Sequence, residues 1–189
     1  MSLELLKDTL QKAPVVKKGD YYYVVHPITD GIPEITPSLI KEVVNEIKKY
    51  TKDYDRIDKI VTMEAMGIPL ASLLSVETSI PFVIIRKRKY GLPGEISVEQ
   101  VTGYSKSKLF INGLKKGDNI IIVDDVLSTG GTLRAVLCVF KKIGVNVERV
   151  IIAVDKGECA KKISKDFDIE INSLVNIDVV DGKVIIKQQ

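Results

Sequence analysis

Two adjacent carboxylates, Asp124 and Asp125, end the apolar run Ile120–Val123, and two residues later comes Ser128-Thr129-Gly130-Gly131-Thr132. Glycines let a backbone approach a ligand closely, and the hydroxyls of Ser128, Thr129 and Thr132 add hydrogen-bond donors. Helical periodicity starts at Leu133, so this turn opens a helix whose free N–H groups and dipole favour an anion. The combination suits a phosphate. Carboxylates do not bind phosphate; beside one they suit vicinal hydroxyls or a hydrated cation. A ligand with a phosphate and a sugar diol close together satisfies both halves, which points to a ribose 5-phosphate. The chain has no GxxxxGKS/T and no GxGxxG after a strand, so neither a P-loop nor a dinucleotide fingerprint is present.

Three other places carry chemistry. Arg86, Lys87, Arg88 and Lys89 are four cations in a row, which repel one another and benefit from a polyanion. Lys156 follows the apolar run Val150–Val154 and Asp155, at the expected end of a strand. His26 is the only histidine; in its Pro-bounded loop it reads as a packed or surface residue rather than a catalyst. With one His and two cysteines, a Ser-His-Asp site, a Cys-His site or a multi-His zinc site is not expected. Cys138 falls on an apolar helical pattern and is expected in the core.

These residues need a frame to hold them, and the hydrophobic patterning supplies it. Residues 2–12 suggest a short helix with Leu3, Leu6 and Leu10 on one side, 21–26 a strand, and 26–37 an ordered loop dense in Pro and Gly. Thr36 is an expected N-cap with Pro37 at the first helical position, followed by Leu39, Ile40, Val43, Val44 and Ile47 at helical spacing. Strands are expected at 56–62, 81–86, 108–111, 119–123 and 147–157, and helices at 68–76 and 133–143, the latter stopped by Gly144. Residues 87–104 are polar with little pattern, the mark of a functional or mobile loop. The C-terminal stretch suggests a short helix and weak strands. Strand, turn and helix in alternation mean an α/β fold with a parallel sheet and right-handed crossovers. In such sheets ligands sit at the C-terminal strand ends, where Asp124 and Asp125 are expected.

The chain has 189 residues, 45% hydrophobic and 28% charged, enough for a single domain with a substantial core. Its net charge of +3 is weak support for a polyanion partner. No signal peptide and no apolar run of about 18 residues is present, so a cytoplasmic protein with no membrane partner is expected. The roughly 20 residues before the first strand are too few for a helix-turn-helix with its supporting helix, so no nucleic-acid partner is expected.

The segment IIIVDDVLSTGGT (120–132) resembles the phosphoribosyl-diphosphate (PRPP) motif of type I phosphoribosyltransferases in its apolar run, acid pair and TGGT. MEAMGIP (63–69) stands where that family has its diphosphate loop. IIRKRKYGLPGE (84–95) resembles the basic segment and lid start of adenine phosphoribosyltransferases, and GIPEITP (31–37) their N-terminal loop. HPITDGIP, RKRKYGLPGE and VDKG together look most like the archaeal hypoxanthine/guanine phosphoribosyltransferases, which are built on the adenine-enzyme scaffold.

The resemblance implies the type I fold: one domain over 1–189, a central mostly parallel sheet flanked by helices, a small hood from about 1–35 and 156–189, and a flexible lid at about 87–107. It implies transfer of ribose 5-phosphate from PRPP to hypoxanthine or guanine, Mg²⁺ carried on PRPP oxygens rather than by a protein site, and a homodimer. Ser128, Thr129, Gly130, Gly131 and Thr132 would hold the 5-phosphate, and Asp124 and Asp125 the ribose hydroxyls. Ala65, Met66 and Gly67 would offer N–H groups to the diphosphate, with Arg86 and Lys87 adding charge. Lys156 would donate to the 6-oxo group, and Ile32 would pack on the base or in the core. Many 6-oxopurine enzymes have an acid where this chain has Ser128. That departure leaves Glu99 of the lid or Asp125 as the candidate catalytic group, or a base that binds as an anion or passes its proton to water. The alternatives are an adenine or xanthine phosphoribosyltransferase, or a PRPP-binding transcriptional regulator.

Overall fold

The structure is a computed structural model, and it describes residues 3–19, 21–51, 56–102, 105–157 and 159–187. Parts of the expected hood (1–2, 20, 158 and 188–189) and lid (103–104), and residue 2 of the expected first helix, lie outside the described residues. The first half of the chain forms α1 (Glu4–Gln11), β1 (Val15–Lys18), β2 (Tyr21–Val24), α2 (Pro27–Asp30), α3 (Pro37–Ile47), β3 (Lys59–Met63), α4 (Gly67–Thr78) and β4 (Phe82–Ile85). The second half forms β5 (Ile96–Thr102), β6 (Ser105–Ile111), β7 (Asn119–Leu127), α5 (Gly131–Ile143), β8 (Asn146–Asp155), α6 (Cys159–Phe167), β9 (Ile171–Val180) and β10 (Lys183–Ile186).

Among the described residues the main sheet has six strands in the order β10-β9-β8-β7-β3-β4. β4, β3, β7, β8 and β9 run parallel, and only β10 is antiparallel to its neighbour. Alternate side chains of β7 serve opposite faces. Ile121 and Val123 join α1, α3 and α4 in one buried cluster, while Ile120 and Ile122 join α5, α6 and the β5–β6 hairpin in the other. A strand covered on both faces reads as a continuous apolar run. Burying each such side chain contributes about 1.5–3 kcal/mol.

The helix ends follow their local chemistry. Thr36 accepts the Leu39 N–H and Pro37 opens α3. Gly144 takes a left-handed conformation at the end of α5, where Lys141 and Lys142 complement the dipole.

Several expectations change. β7 runs four residues past Val123, because β8 continues to pair with it as far as Leu127, opposite Asp155. The acid pair therefore lies inside a strand rather than at its tip. Within 87–104, residues 96–102 form a strand in register with β6, with Val98 buried. Residues 27–30 coil into a helical turn, and β9 is a ten-residue strand rather than a weak one. Cys138 is exposed. It lies one helical step of about 100° beyond Leu137, which turns it away from the stripe formed by Leu133, Val136, Leu137 and Phe140.

Candidate active site

β3 and β7 are neighbouring parallel strands, so the turns that follow them stand side by side. Each opens a helix whose N-terminus no side chain caps: α4 after Met66, α5 after Gly130. The first three helices differ. Glu42 accepts the N–H groups of Leu5 and Leu6 in α1, His26 caps α2 and Thr36 caps α3. The two helix starts beside the cleft thus keep N–H groups for a ligand, and their dipoles add partial positive charge at two nearby points.

Sterics hold both turns close to their neighbours. Gly130 has φ +74°, and a Cβ there would stand 2.5 Å from Ile163 Cδ1, so α6 packs directly behind the phosphate-type loop. A Cβ on Gly67 would overlap Thr62 Oγ1 and Asp124 Oδ1. These two oxygens are buried and have no hydrogen-bond partner among the described residues. The peptide between Glu64 and Ala65, just before α4, is cis.

Between the turns lie the two carboxylates, Asp124 at 7% and Asp125 at 8% exposure. Burial first, and then the charge of Asp125, hold Asp124 well above the ordinary carboxylate range. Burial pushes Asp125 up to about 6, with the charge of Asp30 adding to the effect. Two neighbouring carboxyls out of water do not both ionise freely, and donors from a polyol would favour their charged forms. Asp124, Asp125 and all five residues Ser128–Thr132 line one open cleft of about 480 Å³, together with Met63, Glu64 and Lys87.

The basic segment divides. Lys87 lines the cleft, but Arg86 forms an ion pair with Glu64, its Nε 2.9 Å from Oε2. The same carboxylate oxygen accepts the Lys87 N–H at 3.3 Å, so Glu64 fixes where the basic run begins. Glu95 folds 90–95 into a turn by accepting the N–H groups of Tyr90 and Gly91 and the Asn112 amide. The structure does not bring Glu99 to the cleft. Val98 points inward, so the next residue on the strand points out, and Glu99 pairs in solvent with Lys108 at 3.3 Å.

A smaller, mostly apolar pocket of about 230 Å³ adjoins the cleft through Ser128 and Val126. Tyr21, Tyr23, Asp30 and Lys156 line it as well. The Lys156 ammonium donates to the Tyr22 carbonyl and lies 3.8 Å from the centroid of the Tyr21 ring. The Tyr21 hydroxyl is 2.7 Å from Ser128 Oγ, so the β1–β2 hairpin touches the phosphate-type loop directly. Ile32 is 55% exposed; it is neither a core residue nor part of this pocket's lining.

His26 is fully buried. Nδ1 accepts the Ile28 N–H at 3.1 Å, which leaves Nε2–H to donate to Thr9 Oγ1 at 2.9 Å. Burial lowers its pKa to about 4 despite the charge of Asp30.

Tyr21, Tyr23, Asp30 and Val126 were not singled out by sequence reasoning. Only Val126 had an available signal: it is an apolar residue placed directly after two acids.

The acid pair and the α5 start line one cleft, a cationic apolar pocket adjoins it, and Ala65, Met66, Gly67 and Arg86 lie outside both linings. The profile of the phosphoribosyl transferase domain matches residues 35–181, and the chain belongs to that family. It is 54% identical over 182 residues to the hypoxanthine/guanine phosphoribosyltransferase of Methanothermus fervidus, covering 96% of each chain. It is 53% identical to the enzyme of the same name from Methanocaldococcus infernus, covering 96% of this chain and 99% of the relative. The adenine phosphoribosyltransferase of Leishmania donovani superposes with a TM-score of 0.74 at 22% identity, over 92% of this chain and 79% of that one. The corresponding enzyme of Thermoanaerobacter pseudethanolicus gives 0.71 at 24% identity, over 92% and 99%. The fold is that of the type I phosphoribosyltransferases. Among the described residues no helix is long and apolar enough to cross a membrane.

Proposed function

We propose that the protein transfers ribose 5-phosphate from PRPP to hypoxanthine or guanine, forming IMP or GMP and releasing diphosphate. The observation that carries this reading is the placement of two uncapped helix starts on neighbouring strands, with the acid pair between them. PRPP has the matching plan: a phosphate at one end, a diphosphate at the other and a diol between.

In this reading the α5 start and Ser128–Thr132 hold the 5-phosphate, and Asp124 and Asp125 accept hydrogen bonds from the ribose hydroxyls. The turn of Ala65, Met66 and Gly67 donates to the diphosphate, and Lys87 adds positive charge as the leaving group departs. Arg86, paired with Glu64, positions Lys87 more than it touches substrate. The transition state is a ribose cation leaving a diphosphate, so the protein acts mainly by holding both ends and stabilising opposite charges.

Mg²⁺ fits this donor set. Among the described residues no group of three acids, histidines or cysteines gathers, and two carboxylates suit an ion that takes most of its ligands from PRPP and water. Bound there, it would neutralise charge on the departing diphosphate. The base occupies the pocket of Tyr21, Tyr23 and Val126, with Lys156 donating to an oxygen at position 6. Asp125, in the adjoining cleft, is the candidate acceptor for the proton the base gives up. The reading includes a homodimer working in the cytoplasm.

The test is product formation from PRPP and Mg²⁺ with hypoxanthine, guanine, xanthine and adenine in parallel. Turnover of hypoxanthine and guanine is expected. Turnover of adenine alone would overturn the base assignment. PRPP binding with no turnover of any base would favour a PRPP-sensing regulator.

A further inference from the structure

Two opposite charges line the small apolar pocket, the Lys156 ammonium and the Asp30 carboxylate, and among the described residues they do not pair with each other. Asp30 is also fixed in direction. Its Oδ2 accepts the His26 N–H at 3.0 Å and the Thr29 hydroxyl at 2.6 Å, while Oδ1 makes no hydrogen bond among the described residues. The support runs deeper. His26 is held on its other side by Thr9, whose hydroxyl donates to the Leu5 carbonyl at 2.6 Å, so α1 braces the histidine that braces the aspartate. Gly31, with φ +70°, ends the α2 turn immediately after Asp30. A carboxylate in the lining of a small apolar pocket, with one oxygen tied down and the other unbonded among the described residues, is a preset hydrogen-bond acceptor.

We propose that Asp30 is a specificity-determining residue that accepts the N1–H of a 6-oxopurine, and the 2-amino group of guanine as well, while Lys156 donates to the oxygen at position 6. This rests on the 6-oxopurine reading above. The base edge supports it chemically. Hypoxanthine presents an acceptor at position 6 and a donor at N1, and guanine adds a second donor at position 2. Adenine presents a donor at position 6 and an acceptor at N1, so it sets a donor against the ammonium and a lone pair against the carboxylate. Asp30 is exposed and Lys156 keeps the Tyr22 carbonyl as a partner, so each mismatch forfeits a charge-assisted hydrogen bond and sets like poles against each other at the base edge. Lys156 alone distinguishes one position; Asp30 makes the discrimination double. The carboxylate also separates guanine from hypoxanthine, because only guanine offers it two donors.

The experiment measures kcat and KM for hypoxanthine, guanine, 1-methylguanine and adenine with the wild-type protein, Asp30→Ala and Asp30→Asn, alongside KM for PRPP and the melting temperature. In Asp30→Ala, KM for guanine should rise about 10- to 100-fold, the effect of losing a charge-assisted hydrogen bond. KM for hypoxanthine should rise less, and KM for PRPP should stay within about 3-fold. The wild-type preference for guanine over 1-methylguanine, which lacks the N1–H, should collapse in Asp30→Ala. An unchanged KM for both bases, or a loss confined to kcat, would overturn the proposal; the second would assign Asp30 to proton transfer. If Asp30→Ala fails to fold, the near-isosteric Asp30→Asn and the wild-type comparison of guanine with 1-methylguanine still decide. Wild-type turnover of adenine in place of 6-oxopurines would instead sink the functional reading beneath the proposal, and it is visible before any variant is made.

Discussion

At the phosphate end of the cleft, Asp124, Asp125 and Ser128–Thr132 come from one continuous stretch of strand, turn and helix. At the base end, Tyr21 and Tyr23 come from a hairpin, Asp30 from a short helical turn, Val126 from β7 and Lys156 from the residue after β8. The first region offers a helix start and hydroxyls held in place by the sheet. The second offers side chains that meet only after distant segments have packed. A site for the invariant half of a reaction can thus be rigid and local, while the half that chooses among bases is assembled from parts that can vary separately.

The sharpest way to break this comparison is at the phosphate end. Changing Asp124 and Asp125 together to Asn should lower kcat/KM for PRPP by about 10²- to 10⁴-fold, the loss of two charge-assisted hydrogen bonds. The same change removes two buried carboxyls whose raised pKa values make their ionisation at neutral pH costly. The melting temperature at neutral pH should therefore rise, by about 2–6 °C. A fall in both activity and stability would mean that the pair supports the fold. The wild-type protein offers a matching test: if the ionised pair grips the ribose, the PRPP dissociation constant should fall as pH rises through about 6.

At the base end, Lys156→Ala should raise KM for hypoxanthine and guanine by about 10- to 100-fold and leave PRPP binding nearly unchanged. Equal losses for base and PRPP would erase the distinction between the two regions.

His26 tests the scaffold of the base end. Its folded pKa of about 4 lies below the unfolded value of about 6.5, so its contribution is fully present above that value and is lost as pH falls through about 4. The loss should approach about 3 kcal/mol, and His26→Asn should flatten the slope of stability against pH in this window. The raised Asp124, Asp125 and Asp155 act in the opposite sense there, so the measurement is the difference between the two proteins. The smallest effect is expected from Tyr21→Phe, which loses only the hydrogen bond to Ser128: about a 3-fold rise in KM for PRPP. A change in base preference without one in PRPP would place the hydroxyl in the base pocket alone.

The same contrast explains what the sequence made legible. The acid pair and TGGT could be read because their chemistry is contiguous, and Lys156 because an apolar strand announces its own end. Asp30 looked like a residue in a Pro- and Gly-rich loop; only the packing of α1 on His26 turns it toward a pocket. Composition marked the segment of Glu99 as a loop, whereas the buried Val98 shows a strand whose alternation sends Glu99 to solvent. Cys138 misled through periodicity counted too broadly around one helix.

The two open helix starts beside β3 and β7 have a pharmacological consequence. Neighbouring strands stand about 4.8 Å apart, and α4 and α5 leave them toward opposite faces of the sheet, so the two starts come together only at the strand ends. A rigid, non-reactive linker carrying an anion at each end would reach both. Its second anion would then bind at a high effective concentration set by the linker, so that two weak anion sites act as one chelating pair.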